Sequence, residues 1–275
     1  MQKNEATFNP YFKTEDFNLY LGDCFQLLDH MEKQSIDMIF AAPPYFLSSG
    51  GISCQSGKQV IVDKGEWDRS KSIIERLEYH RSWLAKCKDV LKDNGTIWIS
   101  ATLHSVYAIG VALEMEGFSI INNVIWQKTN PTPNLACRSF THSTETILWA
   151  RKIDSNGKKG KHIFHYNLMK EENKNKQMKD VWHFEEGEIY SLSTTPKSEK
   201  RCGKHPTQKP LKLLERIIKA STDENSLILD PFCGSGSTGI AAILNKRRFI
   251  GMDIDREYLE LTKRRYEEAK YEKRF

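Results

Sequence analysis

The stretch "SLILDPFCGSGSTG", residues 226–239, constrains this chain more than any other. A short apolar run ends at an acid, a glycine-rich turn follows, and "IAAILNK" then reads as a helix. Glycines here let backbone N–H groups approach a ligand, and the helix N-terminus favours negative charge. With Gly234, Gly236 and Gly239 the stretch is formally G-x-G-x-x-G, and Asp253 follows about twenty residues on, at the end of the next strand. Such an acid accepts hydrogen bonds from ribose hydroxyls. The pattern points to an adenosine-containing cofactor more firmly than to any one such cofactor. A nicotinamide dinucleotide is disfavoured, because "DPFC" precedes the first glycine and the loop lies late in the chain.

Two other strand–helix units surround it: "NLYLGD" into "CFQLLDHMEK", and "RRFIGMDID" into "REYLELTKRRYEEAK". "SIIERLEYHRSWLAKCKDVLKDNG" carries apolar residues at helical spacing and is expected to end at Gly95. "TIWIS", "INNVIWQK" and "TETILWARK" read as strands, and "HSVYAIGVALEMEG" as a helix. Alternation of this kind implies an α/β fold with a mostly parallel sheet and helices on both faces. Residues 47–71 and 153–204 do not fit the pattern; they are polar and lysine-rich, so 1–275 is expected to be a single domain carrying two elaborations. The six cysteines are scattered without a Cys-x-x-Cys pair, which points to reduced cytoplasmic thiols and to no metal. A net charge of +5 weakly suggests a polyanionic partner. No apolar run is long enough to cross a bilayer.

"SIDMIFAAPPYF", residues 35–46, places a stiff aromatic turn after an apolar strand. Pro43 and Pro44 fix φ; Pro43 keeps a carbonyl acceptor, and Tyr45 offers a flat ring suited to stacking on a planar substrate. Taken with the glycine loop, the turn resembles the β group of amino-methylating DNA methyltransferases, where a D-P-P-Y motif comes first and F-x-G-x-G late. "FCGSG" at 232–236, "GKHPTQKPLKLLERII" at 203–218 and "LGDCF" at 21–25 match that order. "WQKTNPTPNLACRSFTHSTETILWARK", residues 126–152, resembles the HinfI/DpnA-like adenine subgroup. The resemblance implies a circularly permuted seven-stranded fold, S-adenosylmethionine as cofactor, and adenine N6 in DNA as target, with GATC favoured as the site. It also implies a homodimer in a prokaryotic cytoplasm, beside a cognate restriction endonuclease.

Carried over by motif, Asp253 and Ile254 would meet the ribose, and Asp23 and Cys24 the adenine end of the cofactor. Phe232, Cys233, Gly234, Ser235 and Gly236 would line the methionine part, with Asp230 and Thr238 supporting the loop. Thr207, Gln208 and Lys209 would close the pocket, and Tyr45 would stack on a flipped adenine. Ser48, Ser49, Lys128, Asn130, Asn134, Arg138 and His142 are candidate DNA contacts. Against this pattern, Ala42 stands where the family has aspartate. A carboxylate there accepts hydrogen bonds from the amine and stabilises developing positive charge, which alanine cannot do. Three readings follow: an adenine methyltransferase silenced at one residue, a noncatalytic DNA-binding relative, or an N4-cytosine enzyme.

Overall fold

The computed structural model describes residues 8–46, 52–55, 58–61, 69, 72–128, 131, 133–135, 137–153, 161–183, 195–203 and 205–272. The strands are β1 (Phe12–Lys13), β2 (Phe17–Leu21), β3 (Ile36–Ala41), β4 (Ile52–Gln55), β5 (Lys58–Ile61), β6 (Leu91–Ala101), β7 (Phe118–Gln127), β8 (Thr144–Lys152), β9 (Val181–Trp182), β10 (Leu227–Asp230) and β11 (Arg248–Asp253). The helices are α1 (Cys24–Asp29), α2 (Ile73–Val90), α3 (Val106–Met115), α4 (Tyr166–Glu172), α5 (Leu211–Ser221), α6 (Ser237–Leu244) and α7 (Arg256–Glu272). Among these residues, nine strands form one sheet in the order β1-β2-β11-β10-β3-β6-β8-β7-β9, and β4 pairs with β5 alone. The central strands β2, β11, β10, β3 and β6 are parallel, while β8 runs antiparallel to both β6 and β7. The two-residue strands β1 and β9 extend the edges of a seven-strand body.

Burial on both faces follows from the strand sequences. On β3, Ile36, Ile39 and Ala41 join a core built with α1, α2 and α3, while Met38 and Phe40 face the core of α5, α6 and α7. Helix α2 begins with a capping box between Ser72 and Glu75 and buries His80, Trp83, Leu84, Cys87 and Val90 along one stripe. Parallel pairing of β10 with β3 (Ile228 with Met38, Leu229 with Ile39) joins segments about 190 residues apart at the centre of the sheet. Among the described residues, no helix is long and apolar enough to cross a membrane.

One expectation is corrected. Helix α2 ends at Val90, and Gly95 lies within β6 rather than beyond a helix C-terminus. A Cβ at Gly95 would stand 2.8 Å from the Asp37 carbonyl oxygen and 2.8 Å from Leu91 Cδ1, so the glycine serves close strand approach where the β3–β6 register shifts. The stretch 153–204, read from sequence as an elaboration, contributes to the sheet. It supplies α4 and β9, and Trp182 enters the core beside Trp98, which stacks on Trp149 at 4.6 Å. Of the elaboration at 47–71, most lies outside the described residues.

Gly95→Ala is expected to destabilise the protein by about 1–3 kcal/mol through overpacking against backbone, read as a lower urea midpoint at unchanged slope. An unchanged midpoint would show that β6 can shift to take the methyl group.

Candidate functional site

The carboxyl ends of β2, β11, β10 and β3 meet around a cavity of about 340 Å³, within the range of small-molecule sites. Asp23, Cys24, Thr207, Gln208, Lys209, Asp230, Phe232, Cys233, Gly234, Ser235, Thr238, Asp253 and Ile254 all line it, with Ala42 and Pro44 at the same wall. Of the remaining candidates, Gly236 starts α6, and Pro43 and Tyr45 are buried in the turn after β3.

The glycine loop is braced from three sides. Asp230 accepts from the Phe232 amide (3.0 Å) and from the Thr238 hydroxyl (2.6 Å). Asp253 accepts from the Gly234 amide at 2.7 Å and from the Asp255 amide at 2.9 Å. From α7, Thr262 donates to the Gly234 carbonyl (3.0 Å), and buried Arg265 donates to the Ser235 carbonyl and to Ser237 Oγ. Gly236 adopts φ +70°, and a methyl group there would collide with Thr262, so packing and backbone both require glycine. Burial pushes the Asp230 carboxyl up to about 7, against the hydrogen bonds from Thr238 and Phe232. Burial likewise raises Asp253 to about 6, against the Asp255 and Gly234 amides. Each Asp253 oxygen holds one amide, and a carboxylate retains lone pairs for further donors.

At the other end, Asp23 caps α1 by accepting from the Phe25 amide (3.0 Å), and the Gly22 amide donates to the Asp253 carbonyl (2.9 Å). Phe25 and Tyr79 meet edge to face, with ring centroids 5.5 Å apart, and both line the cavity. Tyr79 is absent from the motif-based set because it lies mid-helix on α2, where periodicity reads it as packing. His205 and Tyr258 pack at 4.4 Å and form wall as well. Among the described residues, Gln208 Oε1 is buried without a hydrogen-bond partner, although its Nε2 donates to the Glu199 carbonyl.

Tyr45 differs from the open platform that its motif suggests. It is 4% exposed, and its hydroxyl accepts from Lys209 Nζ at 2.8 Å and lies 3.4 Å from Ser100 Oγ. Stacking a base on this ring requires the side chains around it to part. Lys209 also donates to Glu145 Oε2 (3.1 Å), which accepts from Ser100 at 3.2 Å, while Lys128 pairs with Glu145 Oε1. Burial alone would raise the Glu145 carboxyl, but Lys209 and then Lys128 outweigh it and hold the group down at about 2. Glu145 sits in an apolar-looking strand run, which is why motif reading passed over it.

The candidate DNA contacts divide. Lys128 is paired with Glu145, a carboxylate it shares with Lys209, and lies 5.0 Å from the Trp126 ring centroid. Asn134 donates to the carbonyl and hydroxyl of Ser139, both at 2.8 Å. Arg138 and His142 are exposed. Ser48, Ser49 and Asn130 lie outside the described residues.

Removing Glu145 leaves Lys209 charged and buried, so Glu145→Gln is expected to cost about 3–5 kcal/mol, whereas Glu145→Leu with Lys209→Met recovers most of it. A carboxyl held lower in the fold than in the unfolded chain stabilises above its ordinary 4.5, and that share is lost as pH falls toward about 2. Urea unfolding across that window should show a shallower acid limb in Glu145→Gln; an unaltered limb would contradict the assignment.

Comparison with known proteins agrees with this arrangement. The DNA methylase family model matches residues 36–264. The chain is 56% identical to the type II methyltransferase M2.DpnII of Streptococcus pneumoniae, over 97% of this chain and 98% of that protein. It is 37% identical to M.HinfI of Haemophilus influenzae, over 90% of this chain and 68% of that one. The crystal structure of the M1.HpyAVI–SAM complex superposes with a TM-score of 0.61 at 27% identity, covering 91% of this chain and 98% of that one. With the glycine loop and the Pro-Pro-Tyr turn brought to one cavity, and with these relatives, the chain belongs to the N6/N4 DNA methylase family.

Proposed function

We propose that this chain is an S-adenosylmethionine-dependent DNA methyltransferase of adenine N6, with GATC favoured as its site, and that Ala42 holds it nearly silent. The observation that carries the reading is the meeting of the Pro-Pro-Tyr turn and the braced glycine loop at a single cavity, with Ala42 in the wall between them. The similarity to the type II methyltransferase M2.DpnII supports methyl transfer, and the resemblance of residues 126–152 to the HinfI/DpnA-like subgroup supports adenine and GATC.

The cavity suits the cofactor by its donor and acceptor set. Asp253 has lone pairs left for ribose hydroxyls, and Asp23 with the Phe25–Tyr79 walls offers an acceptor beside flat apolar surface. Gln208 Oε1 is a buried acceptor lacking a partner, which suits an ammonium group. When bound, S-adenosylmethionine supplies an electrophilic methyl carbon on a sulfonium.

The chain's own residues do the rest. The rigid turn would fix the target amine beside the glycine loop, so the contribution is orientation. The Pro43 carbonyl remains an acceptor for the amine, but position 42 offers no side-chain acceptor. The amine lone pair, delocalised into the adenine ring, therefore stays weakly nucleophilic. Loss of one preorganised polar group costs about a hundredfold or more in rate. Arg138 and His142, exposed on the loop after β7, are suited to phosphate or base contacts.

A second reading, a noncatalytic DNA-binding relative, is favoured by Ala42 itself. We also infer a single domain over 1–275, a homodimer, and work in a prokaryotic cytoplasm beside a cognate endonuclease. The exposed row Tyr107, Val111 and Met115 on α3 suits a self-complementary contact.

Methyl incorporation into GATC duplexes, measured side by side, should rise at least about a hundredfold in Ala42→Asp, with N6-methyladenine as the product. If neither form transfers methyl groups, the noncatalytic reading stands. Cofactor affinity in calorimetry should weaken as pH falls through about 6, because Asp253 gains a proton and loses acceptor capacity. A flat profile between pH 5 and pH 8 would remove Asp253 from the binding set.

A further inference from the structure

We propose that Phe140 is a wedge that enters duplex DNA beside the target and fills the place in the base stack that the flipped adenine leaves. The inference rests on the DNA-methylating reading above and deepens it by naming how the duplex is opened.

Phe140 is 96% exposed, the most exposed of the large apolar side chains among the described residues. A ring of that size left in water forgoes the stabilisation that burial would give it, so a folded chain gains nothing by presenting it. The ring is also not carried on a loose tip. It follows directly on a turn whose ends Asn134 joins, donating at 2.8 Å to both the carbonyl and the hydroxyl of Ser139. The Cys137 amide donates to the Asn134 carbonyl at 3.3 Å, with Cys137 at φ +52°. The side chain is thus held out from a braced turn.

Its position relates it to the site. The loop closes where the Lys128 amide donates to the Ser143 carbonyl at 2.8 Å. Two residues on, Glu145 holds Lys209, and Lys209 holds the Tyr45 hydroxyl. The loop bearing Phe140 therefore springs from the side chains that hold Tyr45. Its charge fits a polyanion: Lys128, Arg138 and His142 lie between 128 and 144, with no Asp or Glu among them. Since Lys128 is paired to Glu145, Arg138 and His142 are the exposed groups flanking the ring.

An exposed ring flanked by cationic or polar groups suits nucleic acid better than an apolar protein face. The flanking groups meet phosphate or base edges, while the ring meets base faces. Apolar side chains inserted between base steps are a general means of opening a duplex. Filling the vacated place keeps the flanking bases in contact and lowers the cost of keeping the adenine out.

The test uses the protein with Ala42 in place, with S-adenosylhomocysteine present. Duplexes carry 2-aminopurine either at the target of GATC or at the same position of a scrambled site. Phe140→Ala should weaken binding and reduce the fluorescence rise by about tenfold on the GATC duplex, within the range for loss of one base-stacking contact. On the scrambled duplex, where no base is flipped and no place in the stack is vacated, the loss should stay under about twofold. Phe140→Trp should retain the behaviour of the parent on both. Equal losses on the two duplexes, or none on either, would overturn the wedge. An altered oligomeric state with DNA binding unchanged would overturn it too, by making Phe140 a protein contact. If the unsubstituted protein shows no preference for GATC duplexes, the reading beneath the proposal fails and the wedge falls with it.

Discussion

Parallel pairing of β10 with β3 is the contact on which everything else in the molecule depends. It aligns the carboxyl end of β10, at Asp230, with that of β3, at Ala41, and so brings the glycine loop and the Pro-Pro-Tyr turn to one edge of the sheet. The two segments lie far apart in the chain, and no local preference would join them. What joins them is burial on both faces: Ile228 and Met38 toward α5 and α6, Leu229 and Ile39 toward α2. Strands buried on both sides have no polar face to turn outward, so the centre of the sheet is their stable place.

How much could be read beforehand varies with the kind of signal. The β10–loop–α6 unit was legible because glycine, acid and helix must follow one another closely in any such turn. The Pro-Pro-Tyr turn was legible for the same reason. Gly95 was misleading, since a glycine after a helical run marks a helix end as readily as it marks close strand approach. Tyr79 and Glu145 were illegible for another reason: their meaning comes from neighbours such as Phe25 and Lys209 that only the folded sheet supplies. Lys209, assigned by motif to the cofactor, also serves Tyr45, a second duty that motif order cannot express.

Ala42 then reads differently from a defect in the fold. It is half-buried at the cavity wall and packed against the apolar core below. The glycine loop retains every brace from Asp230, Asp253, Thr262 and Arg265. A scaffold so fully held costs conformational entropy to order, whether or not the chemistry proceeds.

The strand order has a further consequence for how the chain comes to be folded on the ribosome. β2 and β3 are synthesised early, yet their central neighbours β11 and β10 emerge only with residues 227–253. Until then β2 and β3 each expose a hydrogen-bonding edge with no native partner, and the cavity has no floor. Such open edges need shielding from other chains until residues 227–253 emerge. Ligand competence arrives last, as a single late closure of long loops rather than by gradual growth.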